Sequence, residues 1–135
     1  MPRSVAGYDR ARMTAAFNLT VQEKYIHVLL AEGYEITPEG RSKALQAISE
    51  ACKQHRLRKV LIEGEVAGRR MSTTDAFATG ALAASLMSGT WLALCYYGYK
   101  PDSTSELFQI SAENRGVRVQ FFDEREAALR WLAVA

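Results

Sequence analysis

The segment 68–77, with the sequence Gly-Arg-Arg-Met-Ser-Thr-Thr-Asp-Ala-Phe, holds two arginines, three hydroxyls and a carboxylate within ten residues. Ser72 followed three residues later by Asp75 fits the capping box that starts many helices. Free backbone N–H groups at such a start, with two arginines nearby, can also bind an anion, and an exposed hydroxyl there can accept a phosphate. The candidate binding or phosphoacceptor residues are Ser72, Thr73, Thr74, Asp75, Arg69 and Arg70.

A second group of side chains comes at the end of a strongly apolar run, in the sequence Tyr-Tyr-Gly-Tyr of residues 96–99. Tyrosine combines an apolar ring with a polar tip, which suits the wall of a small pocket or a surface that contacts a partner. Packing beneath a loop explains the same residues without any function. The candidate pocket residues are Tyr96, Tyr97, Tyr99 and Phe77.

Residue types that usually carry catalysis are not arranged for it. His27 and His55 do not belong to a recognised metal-binding motif, and no Gly-x-Ser-x-Gly motif occurs. The glycines of segment 64–68 lack the third glycine and the Gly-Lys-Ser/Thr sequence of phosphate-binding loops. The sequence therefore predicts no catalytic residue, no metal and no cofactor, and it disfavours an enzyme.

The composition and charge of the chain argue against several classes of protein. The chain has 135 residues, 48% of them hydrophobic, which is enough for one core without disulfides or metals. Its net charge of +2 is far from the concentrated positive charge of a nucleic-acid-binding protein. No apolar run approaches the roughly 18 to 20 residues of a membrane span. Cys52 and Cys95 lie among apolar residues, as reduced buried thiols do, so we expect a cytoplasmic protein.

The order of the secondary structure follows from hydrophobic spacing. Residues 1–14 mix Pro, Gly, Ser and charges without a period and predict a flexible arm, whereas 15–135 predict a single domain. Alternating apolar residues on both sides of Gln22-Glu23-Lys24 predict a β-hairpin. Thr37 before Pro38 predicts a helix start, and an apolar stripe continues that helix to about His55.

The rest of the chain alternates between strands and helices. Residues 58–62 and 91–97 read as buried strands, with a helix over 72–87 between them. A helix over 103–115, with Ser103 and Glu106 as its capping box, precedes a strand over 117–121, and Asp123 and Glu126 can cap a last helix. We therefore expect the order ββαβαβαβα and an α/β fold. This fold would contain a mixed sheet of about five strands, an N-terminal antiparallel hairpin followed by parallel βαβ units, and about four helices.

This order, with a hydroxyl-rich helix start after the third strand, resembles the STAS superfamily of bacterial anti-sigma-factor antagonists, and uncharacterised bacterial STAS-like proteins in particular. The resemblance covers about residues 16–133 and includes the stretches RKVLIEG, MSTTDAFATG and ENRGVRVQFFDEREAALRWL. One departure from the family pattern is clear, because Glu63-Gly64-Glu65 follows Ile62 where the family has Asp-x-Ser.

The resemblance implies a regulatory protein rather than an enzyme. In STAS antagonists a partner kinase phosphorylates a serine at this helix start, and the phosphorylation state decides which protein is bound. By position that role would fall on Ser72, Thr73 or Thr74, and the partner would be a kinase or an anti-sigma-like factor. The alternative is a small-molecule or lipid-binding domain that uses the aromatic strand end. We also expect a homodimer through the edge hairpin.

Overall fold

The computed structural model describes residues 17–31, 37–65 and 72–134. The arm expected over 1–14 and the candidate residues Arg69 and Arg70 lie outside these ranges. The described elements are β1 (Phe17–Val21), β2 (Ile26–Leu30), α1 (Pro38–His55), β3 (Lys59–Glu65), α2 (Thr73–Met87), β4 (Trp91–Tyr97), α3 (Ser103–Glu113), β5 (Arg118–Phe122) and α4 (Arg125–Trp131).

The five strands form one mixed sheet in the order β1-β2-β3-β4-β5. β1 pairs antiparallel with β2, and the remaining neighbours are parallel. This confirms the predicted α/β fold with its antiparallel hairpin, parallel βαβ units and four helices. Each crossover advances one strand in the same direction, so α1, α2 and α3 all pack on one face of the sheet. The short helix α4 packs on the opposite face.

Local sequence explains where most helices begin. The Thr37 hydroxyl accepts a hydrogen bond from Gly40 N at 3.0 Å, and Pro38 occupies the first helical turn. The Ser72 hydroxyl accepts one from Asp75 N at 3.1 Å, which confirms the predicted cap of α2.

The caps predicted for the last two helices were wrong. In α3 the capping box joins Asp102 to Ser105 instead of Ser103 to Glu106. The Asp102 carboxylate caps the helix instead, one residue before Ser103, and its Oδ1 accepts from Ser105 N at 3.0 Å. Glu124 is the residue before α4, and no side chain caps that helix.

The larger apolar core lies between the sheet and the first three helices. Fully buried residues of the strands and of all three helices meet in it, and its largest members include Val28, Val60, Leu92 and Ile48, which are 0 to 1% exposed. α2 and α3 approach each other closely at Gly80, where an added Cβ would lie 2.8 Å from Ser111 Cβ. A side chain there would push the two helices apart, which explains a glycine inside a helix.

The core beneath α4 is smaller. It contains Leu61, Ala93 and Cys95 from the sheet and Ala128 and Leu132 from the chain around α4. Trp131 packs against Trp91 at the margin, with ring centroids 5.1 Å apart. Among the elements the structure describes, α4 contacts β3, β4 and β5. Side chains of β1 and β2 on this face, such as Thr20, His27 and Leu29, are therefore only partly covered or exposed.

None of the helices in the described ranges is both long enough and apolar enough to cross a membrane.

Candidate functional site

The amino end of α2 presents hydroxyl groups to solvent. Ser72, Thr73 and Thr74 are all exposed. Asp75, in the first turn, places Oδ2 3.4 Å from Arg41 Nη2 on α1. Arg41 Nε also donates to the Thr79 hydroxyl at 3.0 Å, so one nearly buried arginine ties the first turns of α2 to α1. The hydroxyls therefore lie on a helix start whose position is fixed by contacts with its neighbour.

One turn further along α2, an aromatic ring is exposed beside these hydroxyls. The Phe77 side chain is 48% exposed, although Phe is usually buried. The guanidinium carbon of Arg115, in the turn that follows α3, lies 5.2 Å from the ring centroid and forms a cation–π contact. The Ser111 hydroxyl donates to the Phe77 carbonyl oxygen at 3.1 Å. Contacts from α3 and from the turn after it thus hold the ring at the surface and leave half of it exposed.

The structure does not bring the candidate pocket residues together. Tyr96 and Tyr97 are neighbours on β4 and point to opposite faces of the sheet. Tyr96 packs against Phe121 and Tyr99 on the face covered by three helices, with ring centroids 6.1 and 5.9 Å away. The Tyr99 hydroxyl is hydrogen-bonded to Ser105. Tyr97 points toward α4, and Phe77 lies on the outer side of α2 next to Arg115, so these aromatic residues do not line one cavity.

A cluster of charged and polar side chains surrounds a buried carboxylate on the α4 face. Glu63 in β3 is 2% exposed. Arg125, the first residue of α4, donates from Nε to Glu63 Oε1 at 3.0 Å and from Nη2 at 2.5 Å. The Tyr97 hydroxyl donates to Oε2 at 2.7 Å, and His27 Nε2 lies 2.6 Å from Oε1. Because a carboxylate only accepts hydrogen bonds, Nε2 carries the proton in this contact.

These contacts keep Glu63 ionised. Burial alone would raise its pKa, but the hydrogen bonds from His27, Arg125 and Tyr97 and the positive charge of Arg125 lower the pKa of Glu63 to about 2. Burial and the neighbouring carboxylate raise the pKa of Tyr97, so its hydroxyl keeps its proton. The Glu63 cluster, defined as Glu63, His27, Tyr97 and Arg125, fixes the start of α4 on the sheet.

The cluster was not predicted from the sequence, because the third strand was expected to end at residue 62 and Glu63 to lie in the loop after it. β3 continues to Glu65, and its side chains alternate so that Leu61 and Glu63 share the α4 face. The position of Glu63, two residues after the buried Leu61, could have indicated that its side chain points into the same face of the sheet. Its partners are 34 to 62 residues away in the chain, so no local spacing predicts them.

A shallow cleft of about 400 Å³ lies at the opposite end of the sheet, where β3 and β4 begin. Lys53, Arg56 and Arg58 line its rim and are exposed, while Cys52 and Thr90 are buried residues of its wall. Lys53 lies in the last turn of α1 and Arg56 is its C-cap residue, and basic side chains at a helix carboxyl end offset its partial negative charge. Helix termination therefore accounts for Lys53 and Arg56.

Within the described ranges, no group of His, Cys, Asp and Glu side chains is placed to hold a metal ion. Cys52 and Cys95 are buried and unpaired, and burial raises the pKa of both thiols.

Comparison with known proteins does not assign this chain to a family: no family model matches it, and no curated protein matches it.

Proposed function

We propose that this chain is a non-catalytic, STAS-like regulatory module that binds a protein partner at the amino end of α2. The observation that carries the proposal is the surface formed by Ser72, Thr73, Thr74 and Phe77, which we call the α2 surface. It combines three exposed hydroxyls with a half-exposed aromatic ring on one fixed helix start. Exposed aromatic rings surrounded by polar groups are typical of protein interfaces.

The topology of the sheet supports a surface module. Ligands of α/β proteins usually bind in a crevice where the strand order reverses and neighbouring loops separate. The described strands follow one another from β1 to β5 without a reversal, so their crossovers stay on one face and open no such crevice. A partner would therefore bind the outside of the helix layer.

The same surface could act as a switch. A phosphate on Ser72 would lie at a helix amino end, where backbone N–H groups favour negative charge. It would also lie close to Asp75, whose carboxylate pairs with Arg41. Phosphorylation would thus add negative charge to the α2 surface. The partner would be a kinase or an anti-sigma-like factor. Two buried, unpaired cysteines are compatible with work in the reducing cytoplasm.

A photo-cross-linking phenylalanine analogue at position 77 tests this proposal in cells that naturally contain the protein. We expect it to capture a defined partner, and Ser72→Asp in the same chain should abolish the capture. The analogue at position 110 is the control, because Ile110 is an equally exposed apolar residue on α3, 54% exposed. Equal capture from both positions, or capture that Ser72→Asp leaves unchanged, would exclude the α2 surface as the docking site.

Phosphorylation needs a separate measurement. Mass spectrometry of the protein isolated from the same cells should find phosphate on Ser72, Thr73 or Thr74. Complete coverage of this peptide without phosphate, under several growth conditions, would exclude the switch and leave only the docking surface.

Ser72→Ala should lower the free energy of unfolding by about 0.5 to 2 kcal/mol, since it removes the cap of α2.

A further inference from the structure

The outward-facing backbone groups at the two edges of the sheet differ in their hydrogen bonding. At the β5 edge, Arg118 N donates to Thr90 O next to β4 at 3.0 Å, so the backbone of Val119 points away from the sheet. Two side chains of α3 form hydrogen bonds with the outward-facing backbone groups of Val119. Gln109 Nε2 donates to Val119 O at 2.7 Å, and Val119 N donates to Glu113 Oε2 at 3.4 Å. A further strand cannot pair with the middle of β5 without displacing both side chains.

The β1 edge has no such cover among the residues the structure describes. Gln22 N donates to Tyr25 O at 2.9 Å, which closes the hairpin and fixes the hydrogen-bonding pattern of the two strands. Pairs alternate along an antiparallel ladder, so Asn18 and Thr20 direct their backbone groups toward β2. The backbone groups of Phe17, Leu19 and Val21 consequently face outward. β1 also lacks the proline and charged residues that usually protect an edge strand.

We propose that β1 is the dimerisation edge of this protein and that a second copy of the chain pairs with it in antiparallel register, centred on Leu19. The outward-facing residues form the hydrogen-bonded pairs, so Leu19 lies opposite its own copy and Phe17 lies opposite Val21. Asn18 then lies opposite Thr20 on the other face. This interface is separate from the α2 surface and does not depend on it.

The sequence of β1 is complementary to itself in this register. On the helix-covered face an aromatic ring meets a β-branched side chain, a favourable cross-strand pair, and it covers Val21, which is 38% exposed. On the other face an amide lies opposite a hydroxyl, and these groups can exchange hydrogen bonds. Because β1 carries no charge, no like charges meet across the two-fold axis. A second copy therefore fits this edge on both faces.

The arrangement has one geometric consequence. Pairing about a two-fold axis perpendicular to the sheet makes the strands of the two copies run in opposite directions. The two α2 surfaces then lie at opposite ends of the dimer. One dimer could bind two partners at the same time without a clash between them.

Two charged variants of the chain test the interface and its register. Asn18→Lys with Thr20→Glu places opposite charges across the two-fold axis, whereas Asn18→Lys with Thr20→Lys places like charges there. We expect the first variant to lower the dimer dissociation constant about 2- to 30-fold and the second to raise it by a similar factor, because two cross-strand pairs change at once. Sedimentation equilibrium over a concentration series measures the constant for each variant.

Gln120→Lys is the matched control. Gln120 is an exposed residue on β5, the edge strand whose outward-facing backbone already bonds to side chains of α3. It should leave the dissociation constant unchanged. Thermal melting at a concentration where the protein is monomeric checks that each variant folds. A wild-type chain that stays monomeric at every concentration would overturn the proposal. So would two charged variants that shift the constant in the same direction, because parallel pairing or another register would not place residue 18 opposite residue 20.

Discussion

The two faces of the sheet are attached to their helices by different forces. On one face, α1, α2 and α3 cover the strands with closely packed apolar side chains. On the other face, α4 has only seven residues and a small apolar contact, and the Glu63 cluster holds its first residue. Apolar packing does not depend on protonation, whereas the Glu63 cluster requires an ionised carboxylate. The two layers should therefore respond differently to mutation and to acid.

The largest effect is expected in the three-helix layer. Ile48 in α1 is 0% exposed, so Ile48→Ala should leave a cavity and lower the free energy of unfolding by about 2 to 5 kcal/mol. Urea denaturation measures the loss. Gln46→Ala is the control on the exposed side of the same helix and should change stability by no more than about 0.5 kcal/mol. Similar losses for both would show that this layer is not closely packed.

Acid should act mainly on the α4 layer. The pKa of Glu63 is about 2 in the folded chain and near 4.5 when unfolded, so over this range the unfolded state binds more protons. Ionised Glu63 therefore contributes about 3 kcal/mol to the free energy of unfolding above pH 4.5, and this contribution is lost as the pH falls toward 2.

Urea denaturation at several pH values between 2 and 5 measures this dependence. Glu63→Gln should be less stable at neutral pH, and its stability should fall by less over the same range. Identical pH dependence in the wild type and the variant would mean that Glu63 is not the group that titrates.

The contact between α2 and α3 gives an intermediate effect. Alanine normally stabilises a helix relative to glycine, but a Cβ at Gly80 would lie 2.9 Å from Phe108 O. We expect Gly80→Ala to lower the free energy of unfolding by about 1 to 3 kcal/mol through overpacking. Ala78→Gly is the reciprocal control at an exposed position of α2, where losing alanine should cost about 0.5 to 1 kcal/mol. A more stable Gly80→Ala protein would contradict the close approach.

The smallest effect should come from one hydrogen bond of the Glu63 cluster. Tyr97→Phe keeps the ring and removes the hydroxyl that donates to Glu63, which should cost about 1 kcal/mol at neutral pH. It should also raise the pKa of Glu63, so that acid destabilises the variant at a higher pH than the wild type. If neither stability nor its pH dependence changes, Tyr97 is only a neighbour of the carboxylate.

Short-range patterns in the sequence were sufficient for most of the fold. Thr37 and Ser72 cap their helices as predicted, and the uncharged apolar run of β4 lies in the interior of the sheet between β3 and β5. The alternation in β1 and β2 predicted the antiparallel hairpin. Each of these features depends on residues within a few positions of one another, so hydrophobic period and cap chemistry determine it. The α3 cap was misplaced by one residue because Asp102 and Ser103 are both good capping residues.

Tertiary structure decided what surrounds each candidate residue. Tyr96 and Tyr97 are adjacent in the chain, yet the sheet separates them onto opposite faces, so a tyrosine-rich segment did not become one pocket. Glu63 followed an apolar run and looked like the start of a loop. Packing of α4 brought Arg125 to it from 62 residues away and made it a buried carboxylate with a low pKa. Such environments arise from contacts between elements that are distant in the sequence, so the spacing of residues along the chain does not predict them.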